Sequence, residues 1–87
     1  MATKTREPSA DAQRFTIALG AQIRAEAAYR RISITRLARE VEIDRSTLTR
    51  YLDGKREMPL SLLYDIGEAL GVPAQTIMHR TMERMDP

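Results

Sequence analysis

The run SITRLAREVEIDRSTLTRYLDG, residues 33–54, constrains the chain more than any other stretch. It reads as two short helices joined by a tight corner. Leu37, Ala38 and Val41 share one face of the first; Leu48, Tyr51 and Leu52 share one face of the second. Ile43 is the apolar residue of the corner Glu42-Ile43-Asp44. Ser33 and Asp44 are side chains that cap helix N-termini, because an oxygen there accepts from a free backbone N–H. Gly54 closes the second helix as its C-cap. Ala38 is small where two helices cross steeply and leave little room. The remaining face of the second helix carries Arg45, Ser46, Thr49 and Arg50, donors and acceptors with little reason to be buried. A helix held from behind by apolar contacts and polar in front suits insertion into a DNA groove.

The flanks read as support. Residues 1–10 predict a flexible tail, with Lys4 and Arg6 as a basic arm in the alternative reading. Residues 11–87 form the folded domain. Ser9 or Asp11 caps a first helix whose stripe is Phe15, Ala18, Leu19, Ile23 and Ala27. Gly20 lowers helix propensity by about 1 kcal/mol relative to alanine, which points to close helix packing. Arg24, Arg30 and Arg31 lie off the stripe, where they complement the helix dipole or, for Arg30 and Arg31, also meet phosphate. After a polar loop, Pro59 opens a fourth helix with Leu60, Leu63, Ile66, Gly67 and Leu70 inside and Gly71 as its stop. Leu62 and Tyr64 widen that surface towards the fifth helix or a partner. Pro73 opens the fifth helix, where Ile77, Met78, Met82 and Met85 are apolar and two to four residues are available for contacts beyond the core. There is no strand.

Composition narrows the function. With 87 residues the chain is one small domain. It has no cysteine, which removes disulfides and thiolate metal sites and fits a reducing cytoplasm. No apolar run approaches a membrane span, and no apolar segment follows the N-terminus as in a secretory signal. Residues 1–31 carry six Lys/Arg against three Asp/Glu, residues 32–57 six against five, and residues 58–87 two against four. A basic front and an acidic rear suit a polyanion approached from one side, and ordinary solvated helix faces are the alternative. Catalysis has no footing: His79 is the lone histidine and stands without a paired acid at recognisable spacing. No cofactor or metal is expected.

The ordered set Ser33, Leu37-Ala38, Ile43 to Tyr51, Gly54-Lys55, Met58-Pro59-Leu60 and Ile66-x-x-Ala69-Leu70-Gly71-Val72 resembles the Cro- and phage-repressor-type (lambda-repressor-like, XRE-type) helix-turn-helix family over about residues 15–78. The resemblance implies an all-α, compact five-helix domain that binds double-stranded DNA as a transcriptional regulator, usually as a dimer. Its recognition-helix positions fall on Arg45, Ser46, Thr47, Thr49 and Arg50. Arg45 is placed to read guanine, and Thr47 either reads a base or helps cap the helix. Backbone contacts fall on Lys55 and Arg56, with Ser33, Thr35, Arg36 and Arg30 as further candidates. Arg45 has a second reading as the ion-pair partner of Glu42 or Asp44.

Two positions depart from the family pattern. Glu42 stands where glycine is common, at a cost of about 1 kcal/mol if φ is positive there. Ile34 stands where a phosphate-contacting glutamine is frequent. The leading expectation is a phage-type repressor, dimeric through the fifth helix or through a further C-terminal region. The alternatives are an antitoxin of the same fold that binds a toxin and its own promoter, and a protein-interaction module without DNA affinity.

Overall fold

A computed structural model describes residues 6–86; the expected arm residue Lys4 lies outside them, and Arg6 is exposed. Five helices follow in order: α1 (Ala10–Tyr29), α2 (Ile34–Glu40), α3 (Arg45–Leu52), α4 (Leu60–Leu70) and α5 (Ala74–Met85). The described residues contain no strand. α1 is the spine, packing along α5 and against α3 and α2, while α4 bridges α2 and α5.

Twelve buried apolar side chains make one core, with every helix contributing. Leu19, Ile23 and Ala27 come from α1, Leu37 and Ala38 from α2, and Leu48 and Leu52 from α3. Leu63, Ile66 and Leu70 of α4, with Val72 and Ile77, complete it. α2 has 7 residues and α3 has 8, too few to be stable alone, so their conformation depends on this packing. Full burial of Leu48 alone is worth about 1.5–3 kcal/mol.

Three N-termini are capped as their chemistry demands. The hydroxyl of Ser9 accepts from the Ala12 N–H at 3.0 Å and that of Ser33 from the Arg36 N–H at 3.0 Å. Asp44 accepts from the Thr47 N–H at 3.0 Å. Asp11 lies inside the first turn of α1 and pairs with Arg14 at 2.6 Å. Pro59 and Pro73 stand one position earlier than a first-turn residue, as extended caps of α4 and α5.

The C-termini of α1 to α4 share one device. Arg31, Glu42, Gly54 and Gly71 have φ of 57°, 60°, 74° and 75°. Each left-handed residue donates its N–H back into the last turn, and the next residue donates one position deeper, as Ile43 N–H does to the Ala38 carbonyl at 3.1 Å. This is the Schellman arrangement, and the apolar residue that follows the left-handed one packs inward. Ile32, Ile43 and Val72 do so. The positive φ considered for Glu42 is therefore present, and Arg31 repeats it.

Leu60 departs from its expected place inside, and one polar residue joins the interior. Leu60 is 75% exposed, because it precedes the packed length of α4, whose buried run begins at Leu63. Thr81 is fully buried on α5; its hydroxyl donates to the Ile77 carbonyl at 2.8 Å, so no polar atom is left unpartnered. Tyr64 is exposed, as are Met78 and Met82 on consecutive turns of α5.

Candidate nucleic-acid interface

α3 is presented by what holds its rear and its two ends. Leu48 and Leu52 fix its rear in the core. At its C-terminal end α1 crosses closely: a Cβ on Gly20 would stand 1.9 Å from the Leu52 carbonyl oxygen. Arg24 of α1 pairs with Asp53 at 2.9 Å just past the helix. Gly54 lies against Ile17, where a Cβ would come within 2.5 Å of the Ile17 side chain.

The N-terminal end is held by Asp44, whose carboxylate accepts from the Ser46 hydroxyl, the Thr47 N–H and the Thr47 hydroxyl. Those bonds, the Ser46 hydroxyl foremost, hold the Asp44 carboxyl down at about 2. Thr47 is half-buried with its hydroxyl committed to this cap, so of its two expected roles the geometry matches capping. Ser46 is exposed; its proton goes to Asp44, but its oxygen can still accept.

Arg45 and Arg50 are exposed on the front of α3, and Lys55 and Arg56 are exposed on the loop that follows. Among the described residues none of these four cations has a carboxylate partner within ion-pair distance. The expected alternative for Arg45, a pair with Glu42 or Asp44, is therefore not formed. Thr49 is half-buried. Arg56 lies over the Tyr51 ring, 5.1 Å from its centroid. On α2, Thr35 and Arg36 are exposed, and Arg36 reaches Glu40 only loosely at 3.7 Å.

Arg30 belongs elsewhere. Its guanidinium donates to the buried Glu26 carboxylate at 2.7 Å and to the Glu26 carbonyl at 3.1 Å. Arg80 of α5 bonds the same carboxylate at 2.8 Å, Gln22 donates to it at 2.7 Å, and Arg84 donates to Gln22 at 3.1 Å. Burial pushes the Glu26 carboxyl up, but the bonds from Arg80, Gln22 and Arg30 outweigh it and hold it below its ordinary range. Arg80 thus ties α5 to α1 through Glu26, and Arg30 is committed to that same carboxylate. Sequence reasoning missed this cluster, although Glu26 falls three residues after Ile23, on the apolar stripe itself.

Glu42 forms no ion pair with the front cations. It lines a groove with Glu40, Asp65 and Glu68 between α2 and α4, which is an acidic border to the basic face. Among the described residues no group of acidic, histidine or cysteine side chains is arranged to hold a metal ion. No described helix is long and apolar enough to cross a membrane.

The architecture has solved counterparts. The clp gene regulator ClgR from Corynebacterium glutamicum superposes with a TM-score of 0.79 at 24% identity, covering 92% of this chain and 97% of that one. A hypothetical transcription factor, NHTF, from Neisseria superposes with a TM-score of 0.69 at 21% identity, covering 97% and 98%. At these identities the likeness is one of fold. No curated protein sequence matches the chain. Residues 18–79, from the middle of α1 into α5, match the family described as the helix-turn-helix domain, and the chain belongs to that family.

Proposed function

We propose that this protein is a sequence-specific double-stranded DNA-binding transcriptional regulator of the repressor type, with α3 inserted in the major groove. The observation that carries the reading is the division of its cations. Arg14, Arg24, Arg30 and Arg80 are held by carboxylates and Arg36 reaches one loosely. Among the described residues Arg6, Arg31, Arg39 and Arg84 also lack a carboxylate but are scattered along the chain, whereas the cations that stand exposed without one as a group are Arg45, Arg50, Lys55 and Arg56. All four lie on α3 or on the loop that leaves it.

In this reading Arg45 enters the groove deepest, at the first position of α3, where its fork fits guanine O6 and N7. Ser46, Thr49 and Arg50 continue the reading surface along the helix. Lys55 and Arg56 meet phosphates beyond its end, and Ser33, Thr35 and Arg36 do so at the start of α2; these contacts set register and orientation. One such domain buries too little for tight binding, so two copies act on half-sites about 34 Å apart or at multiples of that spacing. The exposed Met78 and Met82 of α5 suit the contact between them.

Titration against mixed-sequence duplex at several salt concentrations tests the reading. Affinity that falls steeply with salt is expected from phosphate contacts. Absence of binding at low salt would overturn it in favour of a protein-interaction module. Selection of bound sites from random duplex then reports the operator, with two-fold symmetry expected.

A further inference from the structure

Tyr51 has no part in that reading, yet its placement is specific. It sits on α3 between the buried Leu48 and Leu52, half-buried, with its ring under the guanidinium of Arg56. The separation of 5.1 Å from the ring centroid is within the range of a cation–π contact. Arg56 is exposed, and among the described residues no carboxylate pairs with it; the nearby Asp53 is bonded to Arg24. The aromatic face takes none of the guanidinium N–H donors in a conventional hydrogen bond, so they stay available to phosphate oxygens.

The chain contains an instructive contrast. Arg30 also lies over a ring, that of Tyr29, at 5.6 Å, but one of its terminal nitrogens is committed to the Glu26 carboxylate and carbonyl. The same two residue types therefore serve a closed structural pair in one place and leave an open cation in the other.

We propose that Tyr51 is a positioning residue for Arg56, holding its guanidinium at the exit of α3 so that it meets a DNA phosphate with much of its side-chain freedom already lost. The inference rests on the DNA-binding reading above. Arg56 starts from a long side chain on an exposed loop, so its immobilisation would otherwise be charged against binding. The neighbouring Lys55 has no such platform and makes a looser contact.

The test is a double-mutant cycle read by duplex affinity. Tyr51→Leu is expected to weaken binding about two- to five-fold on specific and mixed sequences alike, the size of an exposed cation–π contact. Tyr51→Phe retains the ring and is expected to bind like the unmodified chain. In an Arg56→Ala background Tyr51→Leu is expected to add nothing. Equal losses in both backgrounds would mean that Tyr51 acts only through the fold and would overturn the proposal. A second measurement does not depend on how Tyr51→Leu folds: in the free protein the Arg56 δ protons should show an upfield ring-current shift, and an unshifted position would also overturn it. Failure of the unmodified chain to bind duplex at any salt would remove the DNA reading itself, whereas binding with additive losses removes only the role of Tyr51.

Discussion

Gly20→Ala sets two well-defined effects against each other. In a helix interior the substitution gains about 1 kcal/mol of propensity, and it also restricts the unfolded chain. Gly20, however, is buried where α1 crosses the end of α3, and the new methyl would stand 1.9 Å from the Leu52 carbonyl oxygen and 2.7 Å from its Cα. These are backbone atoms, so no rotamer change relieves them. Restoring ordinary contact requires the two helices to part by about 1.5 Å. Overpacking of this kind costs about 1–3 kcal/mol even where side chains can yield, and here they cannot. The expected net loss is therefore about 2 kcal/mol, or a fall in Tm of about 8–16 °C for a domain of this size. Urea denaturation followed by helical circular dichroism measures it, with Ala25→Gly, at an exposed site of the same helix, calibrating propensity. Because α3 must move with the crossing, specific DNA affinity should fall more than affinity for mixed duplex. A Gly20→Ala protein as stable as the parent, or more so, would refute the claim that this crossing positions α3.

Arg45→Ala should weaken the selected site by about 1–3 kcal/mol and relax preference at one base position, while Lys55→Ala should weaken all sequences alike and lower the salt slope by about one; a uniform loss for Arg45 in site-variant titrations would remove its base-reading role. Glu42→Gly relieves a φ of 60° at an exposed site and should stabilise by about 0.5–1 kcal/mol in urea titrations, the gain being trimmed by the freer unfolded chain. Glu26→Gln should cost about 1–2 kcal/mol near neutral pH, since Arg30 and Arg80 are partly exposed and regain water when released. The folded-state carboxyl of Glu26 is depressed, so its contribution is present above the unfolded value of about 4.3 and lost on acidification below it; the variant's stability should be flatter in that range. Asp44 is held down at about 2, so its cap loses strength as pH falls from about 4 towards that value, and Asp44→Asn, which retains an accepting oxygen, should show a shallower acid slope in pH-jump unfolding.

The front of the candidate interface was legible because short-range chemistry decides it. Asp44 followed by Ser46 and Thr47 can do little but cap, and Leu48 with Leu52 can only face the core; Arg50 is then turned outward by helical geometry, while Arg45, in line with Leu48 and Leu52, is exposed as the first residue of α3. The same logic extended to Gly20, where a glycine in a strongly apolar stripe announces a close crossing, and the crossing is with α3. It failed where a partner comes from far along the chain. Nothing near Glu26 indicates that Arg80, 54 residues later, will share its carboxylate with Arg30. The i,i+4 pair of Arg30 with Glu26 lies within α1 and was open to a reading of spacing; only the packing of α5 along α1 brings Arg80 to the same carboxylate. Arg24 repeats the point through Asp53.

The helix stops show how a sequence rule can be read from the wrong residue. Glycine marks the left-handed position after α3 and α4, but arginine and glutamate occupy it after α1 and α2 with nearly the same φ. The shared signal lies one residue later. Ile32 and Ile43, like Val72, are β-branched apolar residues that pack into the core immediately after the turn. Packing that side chain against the core, with the two Schellman hydrogen bonds, offsets a left-handed cost of about 1–2 kcal/mol, so the turn forms without glycine. On this account Glu42 is neither an error nor a sign of lost function. Its backbone follows from the packing of Ile43, and its side chain lines the acidic groove with Glu40, Asp65 and Glu68 and pairs with none of the arginines of α3. If α3 enters DNA as proposed, the carboxylates of this groove repel a duplex from the side of α2 and α4, and Glu42 then helps to define the edge of the contact made by Arg45 and Arg50.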